Sequence, residues 1–305
     1  MGEKNVGGAA SAAPATPAFN VGGRLHALPA GSVEKRILMA GELGFTCIQL
    51  PSKVVYTSYG IDRTALDEDL AARLRAVLDE AGVHVAVFGC YKNLATPDAA
   101  QLAENLEDYR ACTRFAALLG GCAVGTETGR PNAGNKVADD RFEPAAMDAF
   151  CGGLANACEL AEAAGVPLLI EPGWNEVVNT PERCREVLDR VDSTALGVIY
   201  DPVSLLHPTV AAQSADVVAR MLELNGGAIR VLHAKDYEVV DNEDSAGWCD
   251  GSGSRLVCHG AGETGAFDFA PLADWARKVR PGIDCVIENS TPATNVACRD
   301  YLLGL

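Results

Sequence analysis

The 305-residue sequence predicts a single (β/α)8 barrel, and three observations lead to this prediction. Eight short apolar runs lie between residues 24 and 290, and amphipathic segments separate them. The runs are continuous and rich in Val, Ile and Leu, as in strands buried on both faces of a parallel sheet. The alternating region spans about 285 residues, a size typical of this barrel.

The predicted strands follow one another along the chain. They are RLHAL (24–28), FTCIQL (45–50), VHVAVFG (83–89), CAVGTE (122–127), VPLLIEP (166–172), LGVIYDP (196–202), IRVLHAKD (229–236) and DCVIENS (284–290). An open doubly wound sheet is the main alternative fold. No G-x-G-x-x-G motif follows the first run and no Walker loop is present, so the barrel is favoured.

Helical patterns occupy the intervals between these strands. A stripe of leucines runs through residues 64–82, with Thr64 and Asp67 as a capping pair and Gly82 as a stop. Thr180 and Pro181 predict the start of another helix. Residues 1–20 are rich in Gly, Ala, Ser and Pro and lack periodicity, so we expect a flexible tail followed by the barrel over residues 21–305.

Composition excludes several classes of function. The chain has 41 acidic and 25 basic residues, a net charge of −16, which argues against nucleic acid and anionic lipid as partners. No apolar run is long enough to span a membrane, and the first 20 residues do not resemble an export signal. The eleven cysteines contain no C-x-x-C pair, so we expect free thiols in a cytoplasmic protein.

Four polar residues end the last four predicted strands. They are Glu171, Asp201, His233 and Glu288. Because the carboxyl ends of parallel barrel strands open on one face, we expect these side chains to converge. Three carboxylates and one imidazole suit Mn²⁺, with Mg²⁺ or Co²⁺ as alternatives, and a divalent charge would offset the repulsion between the carboxylates.

Other polar and aromatic residues are candidates for contact with a polyol substrate. Asp236 is favoured over Lys235 as the neighbour of His233 beside the ligand. A long polar insertion over residues 237–260 predicts a lid or a disordered loop, and the glycines of HGAGETGAF could expose amides to an anion. The complete set of substrate candidates is His26, Tyr91, Asn93, Glu127, Trp174, His207, Asp236 and Trp248.

These motifs, in their order, resemble the sugar phosphate isomerase/epimerase group with the xylose-isomerase-like TIM barrel, which includes ketose 3-epimerases, inosose dehydratases and endonuclease IV. The resemblance covers nearly the whole chain beyond the tail. The motifs that carry it are CYKNLATPD, VGTETG, LLIEPGW, VIYDPVSLL, LHAKD, GAGETGAFDF and VIENS.

The resemblance implies a metal held by Glu171, Asp201, His233 and Glu288, with the two glutamates also acting as acid and base. It implies proton transfer next to a carbonyl through an enediolate, without an organic cofactor. The sequence departs from the family where many epimerases have a His three residues after the strand-six Asp. That position is Ser204, and the nearest imidazole is His207, for which a place at a helix start is favoured.

The sequence therefore predicts a metal-dependent sugar or polyol isomerase or epimerase, and a homo-oligomer is compatible with it. The first alternative is a lyase with the same enolate chemistry, either an inosose-type dehydratase or an enzyme that cleaves a 3-keto C-glycoside. The second is a non-catalytic sugar-binding or partner subunit, which the intact set of four ligands disfavours. A DNA-repair enzyme is disfavoured by the charge and by the small number of histidines, five in the chain.

Overall fold

The computed structural model describes residues 17–241 and 253–305. Nine strands are present in this part of the chain. They are β1 (Phe19–Arg24), β2 (Cys47–Pro51), β3 (His84–Gly89), β4 (Ala123–Glu127), β5 (Leu168–Glu171), β6 (Leu196–Tyr200), β7 (Ile229–Asp241), β8 (Ser254–Gly260) and β9 (Ile283–Ile287). Each strand from β1 to β6 pairs in parallel with the next, β7 pairs in parallel with β9, and β9 pairs in parallel with β1. Eight parallel strands thus close into the predicted barrel.

Helices surround the barrel and follow its strands. The helices are α1 (Val33–Glu42), α2 (Ser52–Tyr59), α3 (Glu68–Ala81), α4 (Ala99–Leu118), α5 (Pro144–Ala164), α6 (Pro181–Val191), α7 (Ser214–Asn225), α8 (Ala270–Val279) and α9 (Asn295–Leu303). Thr180 caps α6 and Pro181 is its first residue, as predicted. Asp67 alone caps α3, because Thr64 lies in a preceding 3-10 turn, and Gly82 ends that helix with a φ of +65°.

The first strand lies earlier than the sequence predicts. β1 begins at Phe19, inside the segment expected to be a tail, and residues Leu25–Ala27 form a 3-10 turn instead of strand. The sequence FNVGGR has two glycines and only two large apolar residues, so its hydrophobic pattern is weaker than that of the next residues. Pairing with β2 and β9 makes it a strand despite its composition.

The predicted lid over residues 237–260 is in part a β-hairpin. β7 continues past the barrel to Asp241, and β8 returns antiparallel to it from Ser254, in register with Lys235 opposite Gly260. Residues 242–252, including the substrate candidate Trp248, lie outside the described residues.

The barrel interior is filled by a layer of small and apolar side chains. This layer includes Leu169 on β5, Ile199 on β6, Val231 on β7 and Val286 on β9. Residues two apart on a strand share a face. The alternation therefore places residues 171, 201, 233 and 288 directly above this layer, at the carboxyl end of the barrel.

The described cysteines are all free, and most are buried. This agrees with the prediction of unpaired thiols. Within residues 17–241 and 253–305, no helix combines the length and the hydropathy that a membrane crossing requires.

Candidate functional site

The four predicted ligands converge at the carboxyl end of the barrel. One donor atom from each of Glu171, Asp201, His233 and Glu288 lies within 4.8 Å of the other three. All four residues are buried. They come from β5, from the residue after β6, from β7 and from the residue after β9, so closure of the barrel brings them together.

His233 lies between the two glutamates. Its Nδ1 is 3.2 Å from Oε1 of Glu171 and 3.4 Å from Oε1 of Glu288. Burial would lower the pKa of this imidazole, but Glu171 and Glu288 raise it. Neither ring nitrogen has a hydrogen-bond partner among the described residues.

Asp201 is fully buried below the pocket. Its Oδ1 accepts hydrogen bonds from the backbone amides of Val203, at 2.9 Å, and Ser204, at 3.0 Å. Burial raises the pKa of Asp201 to about 6, although the nearby ammonium of Lys235 opposes the shift. Its Oδ2 has no hydrogen bond in the described structure and faces the ammonium of Lys235 at 3.1 Å.

Lys235 points into the site, contrary to the preference for Asp236. Its Nζ lies 3.1 Å from Oδ2 of Asp201 and 3.2 Å from Oε2 of Glu288, and it donates a hydrogen bond to Oγ of Ser204 at 2.7 Å. Residues 233 and 235 share a face because strand side chains alternate, so this spacing was sufficient to identify the lysine. Ser204 occupies the position where many epimerases have a histidine.

Glu288 is held by several cations. Arg24, at the end of β1, places Nη1 3.1 Å from its Oε1. Burial alone would raise the pKa of Glu288, but Lys235, His233 and Arg24 outweigh it and lower the pKa to about 2. The carboxylate is therefore ionised across the physiological range. Arg24 is not among the predicted site residues, because the predicted first strand lies too late in the chain.

The donor set fits a divalent cation. Among the described residues, three carboxylates face two nearby fixed cations, Lys235 and Arg24. Buried polar atoms normally have hydrogen-bond partners, yet Nδ1 of His233 and Oδ2 of Asp201 have only charged neighbours and no hydrogen bond in the part of the chain that is described. A metal ion would provide the missing partner for these atoms and offset the surplus negative charge.

A pocket opens above the four ligands. Its volume of about 290 Å³ is at the small end of the usual range for ligand sites. Glu171 and Glu288 reach its wall, whereas Asp201 and His233 lie beneath it. The hairpin formed by β7 and β8 contributes Lys235, Arg255, Leu256 and Cys258 to the lining.

Glu176, which the sequence analysis did not single out, lies at one side of this pocket. Its Oε2 accepts hydrogen bonds from N and Oγ1 of Thr128 and from N of Gly129, and its Oε1 is 3.7 Å from Nη2 of Arg130. Burial, with a further contribution from Glu127, raises its pKa to about 8. The local sequence offers no signal for this residue, because its partners are about 48 positions earlier in the chain.

Three of the predicted substrate contacts line the pocket: Tyr91, Glu127 and Trp174. Tyr91 accepts a hydrogen bond from Nε2 of Gln49. Glu127 is opposite Glu171 in the register of β4 and β5, and partial enclosure together with Glu171 raises its pKa.

Two other candidates organise loops outside the pocket lining. Asn93 accepts a hydrogen bond from the amide of Ala95 and donates one to the carbonyl of Arg130. His207 precedes a 3-10 helix, where its Nδ1 accepts from the amide of Thr209, and its ring packs edge-on against Trp174 at 4.9 Å. This agrees with the favoured interpretation of His207 as a residue at a helix start.

His26 and Asp236 also do not reach the pocket lining. His26 lies on the 3-10 turn after β1 and not on a strand. Asp236 is fully buried and points to the opposite side of β7 from Lys235. It accepts backbone hydrogen bonds from Tyr237, Thr264, Gly265 and Phe267. Three of the loop amides considered for binding an anion are thus already paired with a carboxylate.

Comparison with known proteins identifies the family. A profile described as xylose isomerase-like TIM barrel matches residues 38–297. The chain belongs to this family. A search of curated proteins found no match.

Solved structures of this barrel family superpose on nearly the whole chain. One is 3-keto-D-glucoside 4-epimerase from E. coli, with 16% identity, TM-score 0.66, and coverage of 94% of this chain and 100% of the other. Another is a xylose isomerase-like TIM barrel protein from Mycobacterium smegmatis in complex with magnesium, with 17% identity, TM-score 0.66, and coverage of 95% and 96%. A third is the probable 3-DHS dehydratase involved in petrobactin synthesis from Bacillus anthracis, with 15% identity, TM-score 0.65, and coverage of 93% and 98%. At these identities the likeness establishes the shared fold.

Proposed function

We propose that this protein is a divalent-metal-dependent isomerase or epimerase that acts on a sugar or polyol through an enediolate. Glu171 and Glu288 are the proton-transfer groups. The observation that carries this proposal is their placement: both reach the pocket wall, and both lie within 3.4 Å of the same nitrogen of His233. Two carboxylates at one small pocket can remove and return a proton at a single carbon.

The residues that would hold the metal are Glu171, Asp201, His233 and Glu288. Mn²⁺ is the cation we propose, since a set of three carboxylates and one imidazole suits it, and Mg²⁺ or Co²⁺ are alternatives. When bound, the metal supplies Lewis-acid stabilisation of negative charge on substrate oxygens. The Mycobacterium smegmatis protein of the same fold contains magnesium, which supports a hard divalent cation.

The other charged groups of the pocket position the reacting carboxylates and the substrate. Lys235 holds one oxygen of Glu288 and Arg24 holds the other, so this carboxylate has a defined orientation. The Lys235 ammonium is also a fixed donor beside the pocket, where it can stabilise an oxygen that gains negative charge. Trp174 offers an aromatic ring for packing against the C–H surface of a sugar.

A lyase is the second candidate, because elimination begins with the same proton removal next to a carbonyl. The probable dehydratase of Bacillus anthracis, built on the same barrel, supports this alternative. The outcome depends on whether the substrate has a leaving group at the β-carbon. Both candidates require a small substrate.

We propose that the protein acts in the cytoplasm, because its described cysteines are free thiols.

Solvent hydrogen exchange tests the proposal before the substrate is known. The protein loaded with Mn²⁺ is incubated in D₂O with ketoses, inososes and 3-keto glycosides, and deuterium in recovered substrate or product is measured by mass spectrometry. We expect one substrate class to take up deuterium at carbon. An epimer or isomer as product supports the first function, and loss of a leaving group supports the lyase.

The glutamate variants make this test specific. Glu171→Gln and Glu288→Gln should each block product formation, and the variant that retains the initial base should still exchange deuterium. Metal content must be measured in the same samples, because an amide is a poorer ligand than a carboxylate. Turnover near the wild-type rate in both metal-loaded variants would exclude the assigned acid and base.

A further inference from the structure

A second group of potential metal ligands lies at the opposite end of the barrel. Cys47 is the first residue of β2, His84 is the first residue of β3, and Asp284 is the second residue of β9. One donor atom from each lies within 4.8 Å of the other two. These are the amino ends of the strands, whereas the candidate active site lies at the carboxyl ends.

The contacts within this group orient the donors. Nε2 of His84 is 2.9 Å from Oδ2 of Asp284, and Nδ2 of Asn20 donates a hydrogen bond to Oδ1 of the same aspartate at 3.2 Å. The sulfur of Cys47 lies beside β1, where Gly22 leaves the necessary room. A Cβ at residue 22 would be 2.4 Å from this sulfur.

We propose that Cys47, His84 and Asp284 form a second metal site that binds a borderline-soft divalent cation such as Zn²⁺, with water as a fourth ligand. Sulfur, imidazole nitrogen and carboxylate oxygen are the three donor types that zinc takes from proteins. Zinc bonds of about 2.0 to 2.3 Å place neighbouring tetrahedral donors about 3.3 to 3.6 Å apart. Nε2 of His84 and Oδ2 of Asp284 must therefore move about 0.4 Å further apart, a movement that partly exposed side chains can make.

The surroundings allow a cation to enter. His84 and Asp284, but not the fully buried Cys47, line a cavity of about 500 Å³ at this end of the barrel, and the His84 side chain is 53% exposed. Burial raises the pKa of the Cys47 thiol, so the metal-free sulfur is protonated and must lose its proton when a cation binds. Asn20 would act as the hydrogen-bond partner that orients the aspartate ligand.

A cation here would link three strands near the place where the barrel closes. β2 and β3 are neighbours, and β9 is separated from β2 only by β1. The expected consequence of binding is stabilisation of the fold that grows with the logarithm of the metal concentration above the dissociation constant. The site is independent of the proposed enzymatic activity, because it shares no residue with the four-ligand cluster.

Cobalt spectroscopy distinguishes the two metal sites. A thiolate bound to Co²⁺ gives a sulfur-to-metal charge-transfer band in the near ultraviolet, whereas the carboxylate and imidazole cluster contains no sulfur. The experiment uses the His233→Ala variant, stripped of metal and then titrated with Co²⁺ and Zn²⁺. We expect a charge-transfer band that saturates at one cobalt per chain and disappears when zinc is added.

Variants assign the band to its ligands. In the His233→Ala background, a second substitution, Cys47→Ser or His84→Gln, should abolish the charge-transfer band. The half-exposed His84 can be replaced without disturbing the core, and circular dichroism will verify that the variant is folded. Cys258→Ser is the matched control, since this cysteine lies near the other cluster, and the band should remain. Absence of the band in the parent variant, its persistence after Cys47→Ser, or its loss after Cys258→Ser would overturn the proposal. If the band is absent from the parent variant, His84 and Asp284 form only an ion pair.

Discussion

Replacing Glu176 by Gln is expected to change how the stability of the protein depends on pH. The residue is 3% exposed and its pKa is raised to about 8, chiefly by burial, whereas the unfolded chain has the ordinary value of 4.5. The folded protein therefore retains a proton on this carboxyl through a pH range in which the unfolded chain loses it. The contribution of Glu176 to the free energy of unfolding is complete below pH 4.5 and is lost as the pH rises towards 8.

The magnitude follows from the size of this window. Each pH unit within it reduces the contribution of Glu176 by about 1.36 kcal/mol. A change from about pH 5.5 to about pH 7.5 should therefore lower the free energy of unfolding of the wild type by about 2.7 kcal/mol relative to Glu176→Gln. Glutamine is neutral and nearly isosteric, and its carbonyl oxygen can accept the hydrogen bonds from Thr128 and Gly129.

Urea unfolding of both proteins at the two pH values, followed by circular dichroism, measures this difference. Other titrating groups are common to both chains, so their effects largely cancel in the comparison. Glu182→Gln is the control, because Glu182 is exposed and its hydrogen bond with Arg220 lowers its pKa. Its replacement should leave the pH dependence between the two values unchanged, because a carboxyl whose pKa lies below its ordinary value of 4.5 is ionised in both the folded and the unfolded chain there. Equal pH dependence of the wild type and Glu176→Gln would refute the protonated, buried state of Glu176.

Three further predictions concern the site and its support. The Asp201→Asn and His233→Ala variants should each lose both metal and turnover. Circular dichroism should still show an intact barrel, because the apolar core provides most of the stability. A variant that unfolds while its metal content stays normal would instead indicate a structural site. Lys235→Met should retain metal but lower turnover by about 100-fold or more, since it removes a fixed donor beside the pocket, and kinetics near the wild-type rate would argue against this role. Asp236→Ala should destabilise the protein by about 3 kcal/mol in urea unfolding, because buried backbone amides lose a charged acceptor, whereas Asp236→Asn should cost less.

Local sequence was sufficient to identify the four residues that converge at the carboxyl end of the barrel. Each of Glu171, Asp201, His233 and Glu288 comes two residues after a member of the interior layer, and long apolar runs mark these strands clearly. The polar residue at the end of such a run lies where the chain reaches the carboxyl face of the barrel. Spacing along the strand and fold class together predicted the cluster.

The same kind of evidence led to errors where a pattern was weak or was applied incorrectly. β1 contains two glycines, so its hydrophobic signal is weaker than that of the following turn, and Arg24 was not recognised at its end. Asp236 was preferred to Lys235, although the alternation of strand side chains places Lys235 with His233. The carboxylate of Asp236 instead accepts amides of a loop almost 30 residues later in the chain.

The sequence by itself determined the barrel, the order of its strands and the residues at most of their carboxyl ends, because these depend on hydrophobic periodicity over five to ten residues. Only the tertiary structure decided which polar groups meet. Arg24 contacts Glu288 because β1 and β9 close the barrel, and Glu176 accepts hydrogen bonds from Thr128 and Gly129 because two neighbouring loops fold together. These contacts join residues 47 to 264 positions apart, and no local pattern encodes such a pairing.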